Sequence, residues 1–234
     1  SMLKTNCFKN GCFLAVTLSY DDGIHQDRRL VEIMNRYGVR GTFHLNSKHV
    51  TNDDEGHIHS EELPKLYAGH EVAVHCVTHP VLPSLPNEGV VQEVLEDRKT
   101  LEKCCGYPVR GMSYPFGAYD ERVISLIKNC GIVYSRAVQT TNNFSLPNNF
   151  MKWEGTCHHN GNLLELADKF LKTKDDRWKQ HRLLYVWGHS YEFDNDNNWD
   201  MIEAFCEKIG NKDYIWYATN IEIYDYINAM RSLC

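Results

Sequence analysis

The chain reads as an α/β protein. Apolar strand-like runs alternate with amphipathic helical segments from end to end, and that alternation implies a parallel sheet. Its 234 residues, 42% hydrophobic and 24% charged, suffice for a sizeable core. No internal repeat and no linker rich in Pro, Gly or Ser interrupts it, so residues 1–234 are expected to form a single domain. On pattern alone, a barrel and an open doubly wound sheet both remain open.

Phe13 to Tyr20 reads as a buried strand closed by Asp21-Asp22-Gly23. Arg28 to Tyr37 carries Leu30, Ile33, Met34 and Tyr37 at helical spacing, with Gly38 as its stop. Residues 41–46 form a second strand, 61–68 a short helix and 71–75 a third strand. Glu88 to Lys103 is a long amphipathic helix with Val91, Val94, Leu95 and Leu101 among its apolar positions. A strand over 110–114 and a helix over 121–128 follow. Strands at 132–137 and 151–156, a helix at 163–171 and a strong strand at 183–187 continue the alternation. A helix at 201–209, a strand at 214–218 and a last helix at 221–230 end it.

The formal net charge of −6, with no Lys/Arg block, argues against nucleic acid as the main partner. No apolar run approaches the roughly 18 residues of a membrane span, and no protein partner is suggested. Ser1-Met2 reads as a remnant ahead of the native start, and no signal peptide is visible. The nine cysteines follow no zinc-ribbon or disulfide-rich spacing, so most are read as thiols. Together these point to the cytoplasm, unless an export signal has been trimmed.

The chemistry-bearing residues sit just past predicted carboxyl ends of strands, where α/β folds place their sites. Asp21 and Asp22 follow the first strand, His75 ends the third and His79 lies four residues on. Pro115-Phe116-Gly117 follows the next strand, and His189 follows Trp187-Gly188. One carboxylate and two neutral imidazoles form a set that leaves positions open for water and substrate. One Asp of the pair can hold a metal while its neighbour takes a proton from water, and His189 can protonate a leaving group. Gly23 permits the sharp turn between them. Each piece alone has an ordinary reading as turn, cap or core residue; their convergence on one rim is what the ordinary readings do not predict. His158-His159 reads as a solvated loop pair beside the cleft. Glu192 and Asp194 are placed either to orient His189, to touch sugar hydroxyls, or to cap the next helix.

These residues resemble the polysaccharide deacetylase family, or NodB-homology domain. Ser19-Tyr20-Asp21-Asp22-Gly23 is similar to its first motif, His75-Cys76-Val77-Thr78-His79-Pro80 to its second, Tyr114-Pro115-Phe116-Gly117 in part to its third, and Trp187-Gly188-His189 to its last. The resemblance implies a distorted (β/α) barrel with about seven parallel strands. It implies Asp21 as general base, His189 as general acid, and Asp22, His75 and His79 as ligands of one divalent metal. Zinc is the expected ion, with cobalt, manganese and nickel as alternatives. The Phe116 N–H would help hold an oxyanion. Tyr114, Pro115, Trp187 and Arg136 are expected around the substrate.

Three departures stand out. The family's third-motif Arg falls at Ser113, its Asp-Trp motif has only Trp153 as a loose counterpart, and its pocket-lining Leu falls at Trp187. Arg136, ending the next strand, is a candidate source of the missing cation, with an ordinary surface or strand-end Arg as the other reading. The implied function is removal of acetyl groups from N- or O-acetylated sugars or glycans. Opening of small cyclic imides or ureides, or a catalytically weak glycan-binding role, are the alternatives.

Overall fold

A computed structural model describes residues 7–233; Ser1-Met2, expected above to be a remnant, and Cys234 lie outside the described residues. In chain order the elements are β1 (Leu14–Asp21), α1 (Asp27–Arg36), β2 (Gly41–Leu45), α2 (Ser47–Thr51), α3 (Leu63–Leu66), β3 (Glu71–Val74) and α4 (Asn87–Cys105). Then come β4 (Gly111–Ser113), α5 (Glu121–Asn129), β5 (Tyr134–Thr140), β6 (Trp153–Gly155), β7 (Cys157–His158) and α6 (Leu163–Lys172). The chain continues with β8 (Arg182–Gly188), α7 (Glu192–Asn195), α8 (Trp199–Ile209), β9 (Ile215–Tyr217) and α9 (Asn220–Ser232).

All ladders are parallel, and the strand order is β6-β5-β4-β3-β2-β1-β8-β7 with β9 added against β1. One short segment closes the ring. Trp153 in β6 pairs with Arg136 of β5, while Cys157 in β7 pairs with Val186 of β8. Thr156, between them, donates its N–H to the Tyr185 carbonyl at 2.7 Å. Counting β6–β7 as one position and leaving β9 outside the ring gives seven strands around a distorted (β/α) barrel, so the closed form expected from the motifs holds over the open sheet.

The eight residues of β1 are all buried, as a strand covered on both faces requires. Its side chains alternate. Val16, Leu18 and Tyr20 join the large cluster that includes Leu30, Met34 and Ile202 of the outer helices. Ala15 joins a second cluster with Tyr134, Trp153 and Tyr185, and Thr17, Ser19 and Asp21 bring buried polar atoms to that same inner face. The start of α9 plugs the amino-terminal end of the barrel. Its Asn220 and Ile221 N–H groups reach Thr42 Oγ1 and Glu71 Oε1, each at 2.9 Å. That leaves the carboxyl ends of the strands as the open rim.

Three short elements escaped the sequence reading: α2, β7 and α7. Each has five residues or fewer, too few for a periodic pattern to register.

Candidate active and metal site

The rim carries a cleft of about 460 Å³ lined by Asp21, Asp22, His75, His79, Phe116, Trp187 and His189, with Tyr114, Val138, Asn46, His49, His57, Ile24 and Tyr191 around them. Four of these positions or their neighbours have left-handed backbones: Asp22 (φ 86), Cys76 (φ 72), His79 (φ 63) and Phe116 (φ 59). Such conformations cost about 1–3 kcal/mol each and concentrate at functional sites. Gly23 (φ 64) completes the turn after β1, where an added Cβ would lie 2.9 Å from Leu45 Cδ2.

Asp22 Oδ1 lies 3.2 Å from His75 Nε2 and 3.5 Å from His79 Nε2. In a tetrahedral site with metal–ligand bonds near 2.0–2.1 Å, ligand atoms stand roughly 3.3 Å apart. The hydrogen bonding of His75 decides whether these groups suit a cation. Its Nδ1 lies 2.9 Å from the Ser113 carbonyl oxygen, which can only accept, so Nδ1 bears the proton and Nε2 keeps a lone pair. Nε2 is buried and has no hydrogen-bond partner; neither has Asp22 Oδ1. Two orphaned buried acceptors facing each other are unfavourable without a shared positive charge. Asp22, His75 and His79 therefore fit a divalent cation.

Asp21 is held differently. Its Oδ1 accepts from Arg136 Nη2 and, at 2.9 Å, from Ser113 Oγ. Burial alone would raise this carboxyl, but Arg136, His75, His44 and His189 hold it well below the usual carboxylate range. Oδ2 is the oxygen on the His75 side, 4.0 Å from Nε2. Arg136 is fully buried, donates from Nε to Ser19 Oγ at 2.9 Å and packs its guanidinium 4.6 Å from the Trp187 ring centroid.

His189 faces the set from β8. Its Nε2 is 3.8 Å from Asp22 Oδ2, and its Nδ1 is 3.2 Å from Glu192 Oε1. Burial pushes His189 down, but the hydrogen bond to Glu192 and the nearby carboxylates raise it above its ordinary value.

Asp21, Asp22, His75, His79, His189 and Phe116 thus meet around one cleft. Phe116, 66% exposed, sets its ring edge-on to His79 at 4.5 Å. Trp187 lines the cleft. Of the other residues expected around substrate, Tyr114 keeps a place at the cleft and Arg136 and Pro115 do not. Arg136 sits beneath the cleft on Asp21. Tyr114 borders the cleft but is buried, and its hydroxyl donates to the Met151 carbonyl at 2.7 Å. Pro115 is buried in the turn behind Phe116. Trp153 is the register partner of Arg136, with its ring packed on Tyr134, Phe150 and Tyr185. The expected solvated pair is corrected too: His159 is 0% exposed, because Tyr20 and Phe193 stack on its ring. Asp194 does not reach His189; it accepts from Gln26 and Trp199.

Two supporting residues were missed. Ser113 was seen only as an absent Arg, although it bridges Asp21 and His75. Asp97 accepts the N–H groups of Ser47 at 2.8 Å and His75 at 3.0 Å. Its signal was an acid on the buried stripe Val90, Val94, Asp97, Leu101 of α4.

A family model described as polysaccharide deacetylase matches residues 10–135, more than half of the chain. The chain belongs to the polysaccharide deacetylase family. The match takes in Asp21, Asp22, His75, His79 and Phe116; His189 lies beyond it. Among curated polysaccharide deacetylases and their relatives, the chain is 26% identical over 120 residues to a chitooligosaccharide deacetylase of Rhizobium leguminosarum bv. trifolii, covering 50% of this chain and 53% of that protein. It is 27% identical over 116 residues to chitin deacetylase 1 of Cryptococcus neoformans var. grubii, covering 49% of this chain and 24% of that one. The chain therefore spans about half or less of the length of these relatives. Its fold is similar to that of the peptidoglycan deacetylase PdaC from Bacillus subtilis (TM-score 0.56, 14% identity, 93% of each chain). It is also similar to a CE4 family pseudoenzyme from Bacillus anthracis (TM-score 0.58, 16% identity, 93% of this chain and 66% of that one). At these identities the structural likeness speaks for the fold alone.

Proposed function

We propose that the chain is a hydrolase that removes acetyl groups from N-acetylated sugars or glycans, with zinc or a similar divalent ion held by Asp22, His75 and His79. The observation that carries this reading is the pairing of that donor set with a neighbouring carboxylate, Asp21, whose one oxygen is tied and whose other is free. A cation at the set supplies Lewis acidity and favours ionisation of water near neutral pH.

The chain's own residues divide the remaining work. Asp21 stays ionised across the usual pH range, because Arg136 and the surrounding imidazoles favour its charged form. With Oδ1 engaged by Arg136 and Ser113, Oδ2 is the atom placed to accept a proton from the attacking water. His189 stands across the cleft with Nε2 toward Asp22, placed to deliver a proton to the departing nitrogen. Phe116 and Trp187 wall the cleft and limit water around the scissile bond.

Acetate release from N-acetylglucosamine oligomers, measured before and after chelation and after adding back zinc, cobalt, manganese or nickel, tests the reading. It predicts turnover that a chelator removes, a metal restores, and Asp21→Asn abolishes. Full activity in Asp21→Asn would end it.

A further inference from the structure

We propose that Glu192 and His158 form a positioning pair that fixes the imidazole of His189 with Nε2 turned toward Asp22; the proposal rests on His189 being the proton donor of the hydrolase reading. His158, His189 and Glu192 are also spaced closely enough to hold an ion, so the first question is which they do.

Proton placement answers it. The Asn160 N–H donates to His158 Nδ1 at 3.1 Å, so the hydrogen of His158 is on Nε2. Nε2 lies 3.0 and 3.1 Å from the two oxygens of Glu192 and donates to them. It has no lone pair left for a cation, in contrast to His75. Glu192 Oε1 also receives the His189 backbone N–H at 2.6 Å and faces His189 Nδ1 at 3.2 Å. A carboxylate only accepts, so Nδ1 of His189 is protonated and Nε2 is the atom left for chemistry. His159 packs against His158, ring centroids 4.3 Å apart. A buried phenol hydrogen needs an acceptor, so Tyr20 donates to His159 Nδ1 at 3.1 Å, and His159 Nε2 stands 3.5 Å from Glu192 Oε1 without a hydrogen bond to it. The cluster is thus an anion, Glu192 at the start of α7, clamped by donors from His158 on β7 and from His189 just past β8. His158 sits on the segment that closes the barrel and shares the Glu192 carboxylate with His189, which makes it a positioning residue.

Leaving-group dependence separates this role from a structural one. Departure of an amine needs a proton from His189, whereas 4-nitrophenolate leaves without one. With chitotetraose, kcat is expected to fall ~100-fold in Glu192→Ala and ~10-fold in His158→Ala, with KM unchanged. With 4-nitrophenyl acetate, both variants should stay within about twofold of the parent. Equal losses on both substrates, or no loss on chitotetraose, would overturn the proposal. Nitrogen-15 imidazole NMR of the zinc-loaded protein gives a readout free of turnover, so the hydrolase reading and this one can fail separately. The neutral His189 should carry its proton on Nδ1 in the parent and share it with Nε2 in Glu192→Ala. An unchanged tautomer in that variant would refute the clamp even if no substrate is found.

Discussion

Ser113 and Arg136 are register partners on adjacent strands, and both donate to the same carboxylate oxygen of Asp21. The small side chain on β4 leaves room in the barrel for the guanidinium arriving from β5. In this chain the cation beside the proposed base therefore comes one strand later than in the family pattern, with no change in the strand that carries the base.

Arg136→Met should leave Asp21 a buried carboxylate without its guanidinium. Removing one partner of a buried pair costs about 3–5 kcal/mol, read as a drop in urea stability at neutral pH. Because burial then dominates, the carboxyl rises toward neutrality, and the acid limb of kcat/KM should move to higher pH. Arg136→Lys should not rescue it, since a lysine cannot serve Asp21 and Ser19 together while lying on Trp187.

Ser113→Ala removes the second donor to Asp21 but keeps the backbone carbonyl that sets the His75 tautomer. A stability loss of about 1 kcal/mol is expected, with kcat lowered several-fold. Metal affinity, measured by competition with a chromophoric chelator, should be nearly unchanged.

Phe116→Ala separates cleft from core. The side chain is 66% exposed, so the unfolding free energy from urea titration should change by less than ~0.5 kcal/mol. KM for chitooligosaccharides should rise as the wall beside His79 is lost.

Glu71 lies in the barrel under α9, and burial pushes its carboxyl up to about 7 against the hydrogen bonds it accepts. A folded-state value above the unfolded one means that the native state holds the proton longer. Below the unfolded value of about 4.3 both states are protonated and the group is neutral toward folding. As pH rises from there to about 7, the unfolded chain ionises first and stability falls, by an amount on the order of 3 kcal/mol. Glu71→Gln should flatten that part of the stability curve in urea titrations between pH 4 and 8.

Much of the fold was legible because long parallel strands and their helices carry strong periods. The unbroken burial of β1 and the apolar stripes of α1 and α5 announce themselves. The candidate metal donors were legible for another reason: Asp22 and the His75–His79 spacing are local, and strand ends place them together. Closure of the ring was legible only through the motif resemblance and not from the strand–helix pattern, because it depends on five residues of β6 and β7 split between two neighbours. The clamp on His189 was only half visible. Glu192 is three residues away in sequence, whereas His158 arrives from 31 positions earlier through a strand pairing that no local pattern encodes. His159 was misread as solvated because its burial depends on Tyr20 and Phe193, and on Gly188, whose Cβ would lie 2.2 Å from its Nδ1.

Titration of the chelator-stripped protein with zinc, followed by calorimetry, tests the central claim most directly. One equivalent should bind tightly to the parent and to His158→Ala, and should be lost or weakened at least ~100-fold in His75→Ala and Asp22→Ala. Zinc bound equally well by His75→Ala, or not taken up by the parent at all, would contradict a cation site at Asp22, His75 and His79.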